Sequence, residues 1–280
     1  TNGGGAWLPP ATSSPSNPFV TSVAINPNSS ASLYAGTGGG VFESIDSGAS
    51  WADLNTGISG TASMTLAINP TATSQIFSGS NGGGVHASND TASSWTTRNS
   101  GILNTFVQGI AIDPNATTRL YAATKDGIYR STNSGTTWTA SATQPATADV
   151  RGIAIDSNAT PATTLYAATY GGGVFKSVNG GADWAATAAL SDQNVTSVAI
   201  DMNTAPATVY AGTNGGGVFK SLNGGGAWSL AAAGNNGLNS TIIRSLAITP
   251  TTLFASTAAG VHSLAIPAGT QWTAVNNGLA

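Results

Sequence analysis

Apolar residues in this chain come in runs of four to seven, cut off by Gly, Pro, Asn and Asp, and they never settle into a helical period. One such run is SVAINP at 22–27, which returns as TLAINP at 65–70, GIAIDP at 109–114, GIAIDS at 152–157, SVAIDM at 197–202 and SLAITP at 245–250. A second run follows each of these: LYAGT at 33–37, IFSGS at 76–80, LYAAT at 120–124 and 165–169, VYAGT at 209–213 and LFAST at 253–257. A Gly-rich turn then leads into a third, GVFES at 40–44, GVHAS at 84–88, GIYRS at 127–131 and GVFKS at 173–177 and 217–221. The fourth begins at a tryptophan. Short segments rich in Val, Ile, Tyr and Phe, bounded by turn formers, predict strands; a helix would need longer stretches free of Gly.

The tryptophans set the period. Trp7, Trp51, Trp95, Trp138, Trp184, Trp228 and Trp272 are separated by 44, 44, 43, 46, 44 and 44 residues. A fixed period of this size signals a repeat architecture in which each unit buries its faces against its neighbours. Four antiparallel strands per repeat make one propeller blade, and six repeats predict an all-β, six-bladed β-propeller. The approximate blades are 19–60, 61–104, 105–148, 149–193, 194–240 and 241–280, preceded by an N-terminal segment, 1–18, with an extra outer-strand fragment. The VAI/IAI/LAI run is expected to be the innermost strand, covered on both faces.

The third turn reads SIDSGASW at 44–51, SNDTASSW at 88–95, STNSGTTW at 131–138, SVNGGADW at 177–184 and SLNGGGAW at 221–228. It resembles the Asp box, or bacterial neuraminidase repeat, and the whole unit is similar to blades of sortilin-type repeats, photosystem assembly-factor propellers and xyloglucanase-type glycoside hydrolases. The resemblance implies a structural turn between third and fourth strands, with Asp46, Asp90, Asn133, Asn179 and Asn223 accepting hydrogen bonds from turn amides. Trp51, Trp95, Trp138, Trp184 and Trp228 are then expected to pack between sheets. Asn in three of the five boxes disfavours a hard-cation site, so no metal is expected. The last repeat lacks the box, reading AIPAGTQW after 264, while NGGGAW at 2–7 matches Asn223–Trp228. Either residues 5–9 dock beside the last blade and close the ring, or they belong to a blade of a longer parent chain with further domains.

Charge narrows the function. Only 7% of residues are charged and the formal net charge is -3, against roughly a quarter charged in ordinary soluble domains. No basic run exists to hold phosphates, so nucleic acid is not an expected partner. No apolar stretch is long enough for a membrane helix, so no membrane insertion is expected. Absence of cysteine excludes disulfides and thiol chemistry. The Thr/Asn/Gly-rich, Lys- and Glu-poor composition fits a secreted or cell-surface protein, and no cofactor motif appears. The GGG runs lie in hairpins and carry no Lys-Ser/Thr, so they are not phosphate loops.

Glycoside hydrolysis needs two carboxylates across a cleft. Most acids here sit in boxes or at the Asp/Asn position after the first strand, where they form turns. Asp149, in DVRGI, resembles the catalytic Asp context of xyloglucanase-type enzymes, but Phe19, Ala62, Phe106, Asn194 and Ile242 occupy its equivalents, so the repeat supplies no partner acid. His86 and His262 replace aromatic residues of the third strand and read as packed side chains. The variable positions on the face of the Gly-rich turns remain. There Tyr170 offers an aromatic ring on a glycine platform, Arg151 and Arg244 share one repeat position, and Lys125 and Asp126 break the GGG pattern. These residues are the candidate site for a glycan or protein ligand. A non-catalytic binding scaffold follows, with a xyloglucanase-like glycoside hydrolase or fragment of one as the alternative.

Overall fold

The computed structural model describes residues 15, 17–58, 62–147, 149–159 and 163–279. The fragment at 1–14, with Trp7 and the expected docking of residues 5–9, lies outside them.

The protein is a six-bladed β-propeller of four-stranded antiparallel blades. The first blade comprises β1 (Val20–Asn26), β2 (Ser29–Thr37), β3 (Gly40–Ser44) and β4 (Ala52–Asp53). The second has β5 (Ser63–Ile68), β6 (Ile76–Ser80), β7 (Gly84–Ser88) and β8 (Thr96–Thr97), and the third β9 (Val107–Ile112), β10 (Leu120–Thr124), β11 (Gly127–Ser131) and β12 (Thr139–Ala140). The fourth has β13 (Val150–Asp156), β14 (Thr164–Thr169), β15 (Gly173–Ser177) and β16 (Ala185–Ala186). The fifth has β17 (Val195–Asp201), β18 (Thr208–Thr213), β19 (Val218–Ser221) and β20 (Ser229–Leu230), and the sixth β21 (Ile243–Ile248), β22 (Thr252–Thr257), β23 (Gly260–Ala265) and β24 (Thr273–Ala274). Within each blade the strands pair in chain order. The chain divides into two compact units, the first holding blades one to three and the second blades four to six.

Burial departs from expectation in one respect. The first strands are not the most deeply covered; the second strands are, with every residue of β6, β10 and β18 buried. Topology explains this: the first strand is an edge of its sheet, whereas the second is flanked by strands on both sides and packed on both faces. Tyr34, Phe77, Tyr166 and Tyr210, all on second strands, carry this packing into the next blade. Tyr34 joins Ile76 and Trp95, Phe77 joins Leu120 and Trp138, and Tyr210 joins Leu246 and Leu253. In β1, Val20, Val23 and Ile25 are 49%, 59% and 59% exposed. The residues matching Val20 in the other repeats, Ser63, Val107, Val150, Val195 and Ile243, are buried.

The five box turns share one network. Ser44 Oγ donates to Asp46 Oδ1 (2.7 Å) and accepts the Gly48 N–H (2.8 Å), while Asp46 Oδ1 accepts the Ser50 N–H (2.8 Å). Ser88 and Asp90, Ser131 and Asn133, Ser177 and Asn179, and Ser221 and Asn223 repeat it at 2.7–3.0 Å. Each turn thereby pairs two of its backbone donors with its own side chains. Trp95, Trp138, Trp184 and Trp272 are buried, while Trp51 and Trp228 are half-buried. Trp95 Nε1 donates to Leu54 O and Trp138 Nε1 to Arg98 O, both at 2.8 Å, so each indole ties its blade to the one before.

A second recurring device lies just after the fourth strand, in Asn55–Gly57, Asn99–Gly101 and Asn235–Gly237. The Asn oxygen accepts the N–H of the valine at or next to the start of the third strand, Val41 (2.7 Å), Val85 (2.8 Å) or Val218 (3.2 Å). The Gly then meets the following blade so closely that a Cβ at Gly57, Gly101 or Gly237 would lie 2.3, 2.0 or 2.1 Å from the carbonyl oxygen of Trp95, Trp138 or Trp272. These positions also have φ of +97°, +93° and +88°, so glycine is required twice over.

Candidate functional site

The Gly-rich turns are braced by hydroxyl-to-carbonyl hydrogen bonds. The last residue of each second strand, Thr37, Ser80, Thr124, Thr169, Thr213 and Thr257, donates its hydroxyl to the carbonyl of Gly40, Gly84, Gly127, Gly173, Gly217 and Gly260 at 2.9–3.1 Å. The residue that follows reaches back to the entry of its own first strand: Asn81 N–H to Ala62 O, Lys125 to Phe106 O, Tyr170 to Asp149 O and Asn214 to Asn194 O. Asn81, Tyr170 and Asn214 also pair forward, with Phe106, Asn194 and Ile242 of the next blade. In each unit the variable residues are thus threaded into a rim of backbone hydrogen bonds, which fixes where their side chains emerge.

The second unit gathers the densest cluster on this rim. Arg151, on β13, donates to Asp149 Oδ2 at 2.7 Å, and its guanidinium carbon lies 4.8 Å from the Tyr170 ring centroid. Asn214, on the next blade, donates to the Tyr170 hydroxyl at 2.9 Å. Asp192 accepts from the Asn194 N–H (2.9 Å) through one oxygen and the Gly216 N–H (2.9 Å) through the other, bracing the neighbouring turn. Tyr170 is therefore held from three directions, by backbone, cation and amide. Tyr170 is 36% exposed, and Arg151 Nε is buried with no hydrogen-bond partner among the described residues. Ile242, 41% exposed, continues this rim on the sixth blade.

Of the residues singled out in the sequence, Asp149, Arg151 and Tyr170 come together here. Arg244 is exposed on β21. Lys125 and Asp126 belong to the first unit, where Lys125 Nζ lies 5.0 Å from the Phe106 ring centroid and the Asp126 N–H is held by Thr124 Oγ1. Both units thus pair a rim cation with a rim aromatic. Sequence reasoning passed over Phe106, Asn214 and Asp192 as partners. The signal was available in the repeat alignment, where position 170 faces position 194 of the next repeat.

His86 and His262 are buried, and burial lowers the pKa of both. His262 Nε2 accepts the Asn239 N–H at 3.3 Å, whereas His86 Nε2 and His262 Nδ1 have no partner among the described residues. No group of three or more His, Cys, Asp or Glu close enough to hold a metal occurs among the described residues. No helix there is long and apolar enough to cross a membrane.

The sequence matches no protein-family profile. It matches no curated protein either. Its fold has many counterparts among solved structures. A GH74 xyloglucanase from Xanthomonas campestris superposes with a TM-score of 0.73 at 18% identity over 93% of this chain, which spans 48% of that enzyme. The extracellular domain of the hybrid two-component system BT4673 from B. thetaiotaomicron gives 0.70 at 18% identity, covering 91% of this chain and 32% of that one. YCF48 bound to D1 peptide gives 0.64 at 17% identity, with 95% of this chain and 86% of that chain covered. At these identities the likeness shows a shared β-propeller architecture, and this chain spans about half the length of the xyloglucanase it resembles.

Proposed function

We propose that this protein is a non-catalytic binding scaffold, presenting a glycan or protein ligand with the rim that carries the Gly-rich turns. The observation behind this reading is the Asp149–Arg151–Tyr170–Asn214 cluster. It is a partly exposed aromatic, immobilised by charge and hydrogen bonds, at a variable position of an otherwise uniform repeat. Pre-ordered aromatics cost little conformational entropy on binding and are favoured at recognition surfaces. Exposed Ile242 extends the patch with apolar surface, while Arg244, on the same blade, adds a cation. The peptide-bound YCF48 propeller, which aligns over most of its own length, supports a protein ligand. The extracellular sensor domains and the xyloglucanase support action outside the cell, in keeping with a secreted or surface location.

The alternative, a xyloglucanase-like hydrolase, draws on the same fold likeness and on Asp149. That carboxylate is paired with Arg151 at 2.7 Å, and its repeat equivalents are not acids, so the repeat supplies no second carboxylate to act with it. The test is a glycan and peptide array probed with the wild-type chain and with a Tyr170→Ala/Arg151→Ala variant. Loss of captured ligands in the variant supports the reading. Undiminished capture removes this cluster as the site, and release of reducing sugar from xyloglucan would restore the enzymatic alternative.

A further inference from the structure

A second candidate site lies in the second unit, away from the Gly-rich turns, in a cavity of about 290 Å³ between the fourth and fifth blades. At about 30 Å³ per liquid water, it has room for roughly ten waters, near the lower end of the size of small-molecule sites. One wall, Thr204–Ala207, lies where the repeat is irregular. From the Ile that ends the first apolar run to the first residue of the second run, the first three blades advance eight positions (25–33, 68–76, 112–120). The fourth and fifth advance ten and nine (155–165, 200–209). Loops that depart from a uniform scaffold are where recognition concentrates.

The cavity brings together unlike polar groups. Tyr166 on β14 and Lys176 on β15 are cross-strand partners. The Lys176 Nζ lies 5.5 Å from the Tyr166 ring centroid and, among the described residues, donates a hydrogen bond to Gly224 O alone, at 3.3 Å. The Tyr166 hydroxyl has no hydrogen-bond partner among the described residues. Burial, assisted by the Asp156 carboxylate, pushes its pKa up to about 12, so it stays a donor. Asp156 spends one oxygen on the Asn158 N–H at 3.1 Å. Ala205, Pro206 and Ala207 supply an apolar wall. In the first blade the corresponding tyrosine is already satisfied, since Tyr34 donates to Glu43 Oε1 at 2.7 Å; the fourth blade has lysine at that position and leaves the phenol available.

We infer that the juxtaposition of Tyr166, Lys176 and Asp156 in this cavity binds a neutral polyhydroxy ligand the size of one sugar ring. Two donors beside one carboxylate acceptor match adjacent hydroxyls, each of which both accepts and donates. One ammonium and one carboxylate in the same cavity leave no net charge to favour an anion. The apolar wall suits the C–H face of a ring. This site is independent of the Tyr170 rim.

The test is NMR titration of the intact protein with glucose, galactose, mannose and xylose, and separately with acetate and phosphate. Saturable millimolar binding of at least one sugar, with shifts at Thr204, Ala207, Asn223 and Gly224, is expected. Lys176→Met should weaken it at least tenfold, as should Asp156→Asn, which keeps an acceptor for Asn158. Lys220→Met, the equivalent change one blade on, should leave it unchanged. Thermal melts confirm that each variant folds. Absence of sugar binding, preference for acetate or phosphate, shifts confined to the Tyr170 cluster, or indifference to Lys176→Met would each overturn the assignment.

Discussion

At the residue scale, the box turns show how one geometry tolerates different chemistry. Asp46 and Asp90 accept a hydrogen bond from the hydroxyl of Ser50 and Ser94, whereas Asn133 donates its amide to Thr137 and Asn179 donates to the Asp183 carboxylate. The direction reverses with the partner, and Asp183 stands where an acid at the box position would repel it. The two aspartates are held at a pKa of about 2, first by the Ser50 and Ser88 hydroxyls respectively, and then by further turn donors. A depressed carboxylate stabilises above its unfolded pKa of about 3.9, and that contribution fades as pH falls toward 2. Asp46→Asn should therefore leave the melting temperature at pH 7 within about a degree and reduce the loss on acidification, read from melts between pH 2 and 5. Strain marks another position. The second box turn places Thr91, an exposed β-branched residue, at φ 62°, where the fourth and fifth use glycine. The left-handed penalty of about 1–2 kcal/mol, less the unfolded-state entropy of glycine, predicts that Thr91→Gly stabilises by roughly 0.5–1 kcal/mol in urea unfolding. His86 supplies a switch of opposite origin: burial depresses its pKa, so the unfolded state takes up the proton first. Its share of stability is complete above about pH 6.5 and declines below it. His86→Phe, restoring the aromatic of the other repeats and removing an unpaired nitrogen, should flatten the stability profile between pH 7 and 5.

At the element scale, the blade is the unit that was legible, and the reason is periodicity. Three of its four strands are apolar runs between turn signals, and the fourth, only two residues long in the structure, announced itself through tryptophan. What periodicity could not convey was depth. SVAINP and LYAGT are similarly apolar, yet one is a sheet edge and the other is enclosed, a difference set by neighbours. The Asn-x-Gly device, by contrast, emerged only in the structure, because its purpose depends on the Trp carbonyl of the following blade. Gly101→Ala should cost several kcal/mol, since a methyl group has no room beside the Trp138 carbonyl and φ is +93°. An Ala at exposed Gly82, which also has positive φ (+95°) but nothing within 4 Å of its Cβ, should cost only about 1 kcal/mol. The difference between the two, from denaturant unfolding, isolates the close approach from backbone strain. The candidate site was legible in part. Asp149, Arg151 and Tyr170 stood out as departures from the repeat, whereas their mutual pairing arises inside the fourth blade, where the Tyr170 N–H bonds Asp149 O and the register of β13 shifts at Arg151.

At the scale of the whole molecule, the hydrophobic clusters among the described residues are shared by adjacent blades. Phe77, Val85 and Ala87 from the second blade join Leu120, Ala122 and Tyr129 from the third, and Tyr210 and Val218 from the fifth join Leu253 and Leu264 from the sixth. Stability in such an array approximates a sum of blade terms and nearest-neighbour terms, with little coupling at longer range. Damage should therefore stay local. Leu120 and Leu253 are fully buried at equivalent positions of β10 and β22, and truncating either to Ala removes about 2–5 kcal/mol from its own cluster. In native-state hydrogen exchange, Leu120→Ala should lower amide protection across β6, β7, β10 and β11 while β18, β19, β22 and β23 keep theirs. Leu253→Ala should do the reverse. A uniform loss of protection in either variant would mean that the blades unfold as one cooperative body, and the nearest-neighbour account would fail. The outcome also bears on function, because a scaffold that confines disturbance to adjoining blades can vary one stretch of its rim without loosening the rest, as the singular cluster around Tyr170 requires.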